Sequence, residues 1–155
     1  MQVTNFTQLI DWTRQLHQQL AQVLTRGGEL HSQERARMLL KSLAEQEQEL
    51  ANTLHEFDQQ TKTEALDAYV PYLYSAFEQR PINTQQVYTQ PFDRLSIAEI
   101  SKMMFEVHDQ VVDFYQRLAQ ESQVPEAKEL VDSLLELEQE AEKQIASKIQ
   151  GMEDM

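Results

Sequence analysis

The chain has 155 residues, with 13 basic and 26 acidic side chains and a formal net charge of −13, which suits a single domain, 1–155, with a substantial core. So large an acidic excess repels phosphate backbones and anionic lipid, and it argues against nucleic acids and membranes as partners. The lack of cysteine excludes disulfides, thiolate metal sites and thiol catalysis. With neither an apolar run of membrane length nor a signal-like N-terminus, we expect a cytoplasmic protein.

The first half of the chain predicts two long amphipathic helices, because helix breakers are scarce, with 3 Gly and 4 Pro in all. The first helix is expected over 4–26, where Gly27-Gly28 would end it with a left-handed cap. The second is expected over 32–59. Between 60 and 95 no long helix is expected, because three prolines interrupt this segment. They are Pro71, Pro81 and Pro91.

The second half predicts two more long helices. The third is expected over 97–120, opened by a capping box of Ser96 and Glu99, and the fourth over 125–150, with Pro125 in its first turn. Apolar residues at three- and four-residue spacing give each helix one buried face. Short loops make two antiparallel hairpins, and the segment 60–95 is a long crossover between helices two and three. The sequence therefore predicts an all-α four-helix bundle.

The two halves also repeat each other. A shift of 91 residues places His17 on His108 and Glu47 on Glu138, and it superimposes the similar strings 42–49 and 133–140. Part of this likeness is common to all amphipathic helices, but the paired histidines are not, since the chain has only four. We interpret the chain as a duplicated helical hairpin packed about a pseudo-two-fold axis.

Each predicted helix carries one ionisable residue within its apolar face. In chain order they are His17, Glu47, His108 and Glu138. Within each hairpin the histidine and the glutamate are 30 residues apart, so a short loop brings them to one height, within a helical turn of about 5.4 Å. We therefore expect all four side chains to meet inside the bundle.

Three interpretations of these four residues stay open, because a buried carboxylate requires a partner. Two imidazoles and two carboxylates can hold one divalent metal ion such as Fe, Mn or Zn. The same groups can form metal-free Glu–His pairs that fix the helix register. In the third interpretation the helices are rotated so that the glutamates are partly hydrated.

This pattern resembles the ferritin-like superfamily, and most of all rubrerythrin-related bundles. The resemblance covers the four long helices, and 43–50 and 134–141 are similar to the Leu-Ala-Glu-Glu-Glu-x-Glu-His-like string of that family. The family has an inward glutamate where this chain has His17 and His108, and its Glu-x-x-His histidines are replaced by Leu50 and Ala141. A di-iron centre uses around four carboxylates and two histidines.

The resemblance therefore implies a ferritin-like fold with an altered or vestigial iron-type site, and weak redox or peroxide-related activity. It places the chain with bacterial ferritin-like proteins that lack the full ligand set. The alternative is a helical protein without enzymatic activity, which contains buried Glu–His pairs and no metal and acts by self-association, as a dimer, or by binding a protein partner.

The remaining candidates are expected near the surface. His31 and His55 lie outside the apolar series and are expected to be solvated. The acidic residues two positions from the inward glutamates are expected on polar faces. They are Glu45, Glu49, Glu136 and Glu140.

The crossover carries many aromatic residues, and a capping-box pattern at 61–64 predicts a short helix that includes Tyr69. We expect the aromatic side chains to cover one side of the bundle. The alternative is an exposed dimer interface, where tyrosine is enriched. The aromatic residues concerned are Tyr69, Tyr72, Tyr74, Phe77, Tyr88 and Phe92.

Overall fold

The computed structural model describes residues 3–61, 66, 70–79, 81–122 and 124–153. Within these ranges every regular element is an α-helix, which confirms the all-α prediction. The helices are α1 Phe6–Leu30, α2 Glu34–Gln60, α3 Pro71–Gln79, α4 Thr84–Tyr88, α5 Ile97–Glu121 and α6 Pro125–Glu153. The four long ones, α1, α2, α5 and α6, are those that the sequence predicts, and each begins within a few residues of the expected position.

Local capping chemistry explains several of the helix ends. The side chain of Asn5 accepts a hydrogen bond of 2.8 Å from the backbone N–H of Gln8 and so caps α1. The predicted capping box of Ser96 and Glu99 is present at the start of α5, and Pro125 opens α6 as expected. The predicted capping box at 61–64 and its helix lie outside the described residues, apart from residue 61, which caps the C-terminus of α2, and the buried Leu66.

The predicted left-handed cap at Gly27-Gly28 is wrong, since no described glycine has a positive φ and α1 continues to Leu30. These glycines serve close packing instead. A Cβ added to Gly27 would lie 2.6 Å from the Cβ of Phe92, and one added to Gly28 would lie 3.4 Å from the Cβ of Leu40. Glycine is therefore needed because the crossover and α2 lie so close to this end of α1.

His31 contradicts the prediction of a solvated side chain, because only 6% of it is exposed. Its Nε2 donates to the backbone carbonyl of Leu95 at 2.8 Å, and its Nδ1 accepts from the backbone N–H of Gln33 at 3.0 Å. The crossover thus returns to the α1–α2 turn just before α5 begins. His55 is exposed, as predicted.

The buried faces of the long helices form one apolar core. Its residues come from all four long helices and from the crossover. α1 packs most extensively against α2, α5 packs against α6, and α2 also packs against α6. The predicted repeat is visible in the helix ends, since the bounds of α1 shifted by 91 are 97 and 121, the bounds of α5.

The crossover aromatics pack onto this core. Phe92 is buried, and the half-buried Phe77 lies with its ring centroid 4.4 Å from that of Phe114 and 5.0 Å from that of Trp12. The half-buried Tyr72 and Tyr88 also contact the core. These contacts favour the covering role over an exposed interface. The side chains of residues 69 and 74 lie outside the described part of the structure, and the dimer interface stays a prediction.

None of the helices in the described ranges combines the length and the apolar character needed to cross a membrane.

Candidate metal centre

The four predicted site residues lie at mid-helix and face one another. His17 is on α1, Glu47 on α2, His108 on α5 and Glu138 on α6, and none is more than 1% exposed. In each helical hairpin the histidine and the glutamate are 30 residues apart, which places the four side chains at about the same height along the helices, as the sequence predicts. The structure thus brings all four together and rules out the interpretation in which the glutamates are partly hydrated.

Glu47 is the central member of the group. Its Oε2 lies 2.5 Å from Nδ1 of His17, and its Oε1 is hydrogen-bonded to Nε2 of His108. Glu138 Oε1 lies 2.9 Å from Nε2 of His17. One chain of three hydrogen bonds therefore joins all four helices, and two of its links run between the hairpins rather than within them.

The charges follow from this bonding. Burial alone would lower the pKa of His17, but the carboxylates of Glu138 and Glu47 outweigh it and raise that pKa. Burial would raise the pKa of Glu47, but His108 and His17 outweigh it and lower that pKa. Since each ring nitrogen of His17 faces a carboxylate oxygen, His17 donates from both only as an imidazolium. Without metal, the core contains an ion pair.

The charges of the two carboxylates affect the pKa values of two tyrosines. The Tyr115 hydroxyl lies 2.7 Å from Thr13 Oγ1, and burial together with the charge of Glu138 raises the pKa of Tyr115. Burial and the charge of Glu47 raise the pKa of Tyr88 to about 12. Both phenols therefore stay protonated at neutral pH.

Glu142, one helical turn beyond Glu138 on α6, is a further acidic residue near the site that the sequence pattern does not predict. Burial raises the pKa of Glu142, as do a hydrogen bond to Asp109 and the negative charge of that residue. The charge of His108 lowers the pKa of Glu142, and the charge of Glu138 raises it. Glu142 is not part of the apolar series of α6. It is four residues after Glu138, however, and this spacing places both side chains on one face of the helix.

The donor set could hold a single metal ion, but it lacks the ligands of a di-iron centre. Among the described residues, His17, Glu47 and His108 are the group whose ligand atoms all lie within 4.8 Å of one another. Leu50 and Ala141 stand where the ferritin-like pattern has histidines. Both are buried in the apolar core and offer no metal ligand. The ligands of a second iron are missing from those positions.

Glu138, predicted as a ligand, contacts the far nitrogen of His17 rather than the group around Glu47. In metal sites, a carboxylate on the second nitrogen of a ligating histidine fixes the tautomer and orientation of the ring. His17 Nδ1, Glu47 and His108 Nε2 would therefore hold the ion, and Glu138 would orient His17.

Comparison with known proteins finds no family model, no curated protein and no solved structure that matches this chain.

Proposed function

We propose that this chain is a ferritin-like four-helix bundle that binds one divalent transition-metal ion through His17, Glu47 and His108. The observation that carries the proposal is that three helices each contribute one fully buried N or O ligand to a space 4.8 Å across. Imidazole and carboxylate ligands suit Fe, Mn and Zn. The return of the crossover to the α1–α2 turn supports the ferritin-like topology.

Charge balance supports the same ion. Glu47 and Glu138 bring two negative charges into a core that excludes water, and a divalent ion neutralises both. A bound ion takes the place of protons on the ring nitrogens that it contacts, so binding releases protons and weakens as the pH falls.

The buried site residues also limit which reactions a bound ion could carry out. A bound iron or manganese ion would supply Lewis-acid and one-electron redox chemistry at this position. Because the surrounding side chains are buried, we propose that only molecules of the size of water or peroxide react there. The chain's own residues hold the ion, orient His17 through Glu138 and keep bulk water away.

The alternative function is a metal-free interaction protein, and one observation favours it. Two ligands on a tetrahedral ion at about 2.0–2.1 Å are roughly 3.3 Å apart, whereas His17 Nδ1 and Glu47 Oε2 are 2.5 Å apart. An ion would therefore have to separate the side chains. In this alternative the Glu–His network fixes the helix register, and self-association as a dimer, or a protein partner, provides the function.

Metal analysis separates the two functions. Protein purified without chelator, or loaded with Fe²⁺, Mn²⁺ or Zn²⁺ and desalted, is expected to contain one equivalent of ion. Glu47→Gln should abolish this binding, and Glu138→Gln should weaken it by about 10- to 100-fold. The matched controls are Glu49→Gln and His55→Ala, which change exposed residues.

Absence of metal from the wild-type protein at every loading contradicts the metal proposal, as does equal binding by Glu47→Gln and Glu49→Gln. Sedimentation of the same samples tests the predicted dimer independently of metal.

A further inference from the structure

A broad groove runs along the solvent-exposed side of the first hairpin, between α1 and α2. It has a volume of about 1390 Å³ and is lined by residues between 21 and 29 of α1, by Ser32 of the turn and by residues between 34 and 48 of α2. Ala21 and Ala44 are the buried members of this lining. None of the lining residues belongs to the candidate metal centre, so the groove is a separate feature of the protein.

The groove contains equal numbers of positive and negative side chains. Three of its lining residues are basic and three are acidic, and all six are exposed. None of them takes part in an ion pair within the described residues. The six residues are Arg26, Arg37, Lys41, Glu29, Glu34 and Glu45. Their charges sum to zero, so the net charge of −13 of the chain lies entirely outside the groove.

The internal repeat shows that two of these charges have lost an ion pair that the second hairpin retains. In α6, Lys128 and Asp132 form an ion pair at 2.8 Å. A shift of 91 residues places them on Arg37 and Lys41 of α2, which are both positive. Like charges four residues apart on a helix repel each other. A partner that brings carboxylates to the groove would remove this repulsion.

The same difference is found between α1 and α5. Arg117 of α5 binds Asp113, four residues earlier, at 3.1 Å. Their counterparts on α1 are Arg26 and the neutral Gln22, so Arg26 has no acidic residue at the corresponding position. The first hairpin therefore presents cations that its repeat neutralises within single helices.

Two exposed apolar side chains accompany these charges. Met38 lines the groove and is 46% exposed, and Leu30, which follows Glu29 at the end of α1, is 64% exposed. Their counterparts in the second hairpin are both glutamates, Glu129 and Glu121. Exposed apolar groups among polar ones are typical of protein interfaces, in which methionine and arginine are enriched. The first hairpin thus has the features of an interface where the second has those of a solvated surface.

We propose that a second copy of this chain binds here, groove to groove, about a two-fold axis. In such a contact both copies use the same surface, so each cation of one groove can meet an anion of the other. Equal numbers of the two signs satisfy this requirement, whereas a purely acidic partner would place like charges against Glu29, Glu34 and Glu45. Contacts through the rest of the surface bring together two negatively charged faces, which repel each other.

This proposal assigns the dimer interface to α1 and α2 rather than to the crossover, whose aromatic side chains pack onto the core. Met38 and Leu30 would lose their exposure to water in the dimer, which adds a hydrophobic contribution to the charge pairing. The inference does not depend on metal binding, because no groove residue is a proposed ligand.

Two charge-reversal variants of the full-length protein test the proposal. The first replaces the three groove cations, as Arg26→Glu, Arg37→Glu and Lys41→Glu, and the second replaces the three anions, as Glu29→Lys, Glu34→Lys and Glu45→Lys. Each variant has a groove of one sign only. In sedimentation velocity with EDTA, each alone is therefore expected to be monomeric where the wild type is dimeric, and an equimolar mixture of the two should form a heterodimer.

A third variant controls for the change in total charge. It replaces three exposed cations of the second hairpin, as Lys102→Glu, Lys128→Glu and Lys143→Glu, and so has the same net charge as the first variant. The first variant should dimerise at least about 100-fold more weakly than this control, because it places like charges directly across the interface. Circular dichroism should show the same helix content in all variants, since every substituted side chain is exposed.

A wild type that stays monomeric from micromolar to millimolar concentration overturns the proposal and leaves the groove to a partner of another kind. A dimer that persists in both reversal variants uses another face, such as the crossover, and also overturns it. If the two variants are monomeric and do not associate on mixing, the groove-to-groove arrangement is wrong. Because every sample is free of metal, these outcomes are distinct from a failure to bind an ion.

Discussion

Two replacements of Glu47 separate the contribution of its charge to stability from the contribution of its hydrogen bonds. Glu47→Ala removes both bonds and leaves His17 Nδ1 and His108 Nε2 buried without an acceptor. Breaking a buried pair from one side costs about 3–5 kcal/mol, which for a chain of this size lowers the melting temperature by roughly 6–20 °C. Glu47→Gln keeps an oxygen for one ring and offers an N–H₂ to the other, whose neutral tautomer can accept it.

We therefore expect Glu47→Gln to destabilise the metal-free protein, but by less than Glu47→Ala does, because it keeps hydrogen-bonding groups for both rings while it removes a charge that the folded state favours. Thermal and urea unfolding at pH 6 with EDTA measure both variants, with Glu49→Gln, at an exposed position, as the control. A loss in Glu47→Gln as large as that in Glu47→Ala would refute the reasoning, because the charge itself would then be the stabilising element.

The pH dependence of the metal-free protein follows from two shifted groups. The pKa of His17 is raised from 6.5 to about 10, so its contribution to stability is complete below 6.5 and is lost as the pH rises toward 10. The pKa of Glu47 is lowered from 4.5 to about 2, so its contribution is lost as the pH falls from 4.5 toward 2. Urea unfolding across pH should show maximal stability between about 4.5 and 6.5, and a maximum above pH 8 contradicts the ion pair. Gly27→Ala should destabilise by about 1 kcal/mol, since overpacking against Phe92 outweighs the gain in helix propensity. Gly151→Ala, whose Cβ meets nothing within 4 Å, should instead gain up to about 1 kcal/mol, and equal effects of the two changes would exclude the packing role of Gly27.

The local signals of the sequence are sufficient to predict the long helices. Ser96 with Glu99 and Pro125 act within one helical turn, so their effect does not depend on distant contacts. The interruption of four apolar faces by His17, Glu47, His108 and Glu138 likewise predicts that these side chains converge, because helical periodicity fixes which face a residue occupies.

Local sequence signals do not predict features that depend on the distances between helices. Gly27 has the same sequence signature in a left-handed cap and in a close helix contact, and only the position of Phe92 decides between them. His31 looks like a loop residue until the carbonyl of Leu95 is placed beside it. The pairing of Glu47 with both histidines, and the involvement of Glu142, depend on side-chain separations of a few ångströms between different helices.

The hydrogen bond between His31 and Leu95 has a consequence for alignment. His17 lies 14 residues before His31, and His108 lies 13 residues after Leu95, which at about 1.5 Å per residue corresponds to roughly 20 Å of helix in each case. The hydrogen bond between His31 and Leu95 therefore holds the starts of the two paths at one level, so that the two buried imidazoles lie at about the same height and contact the same carboxylate.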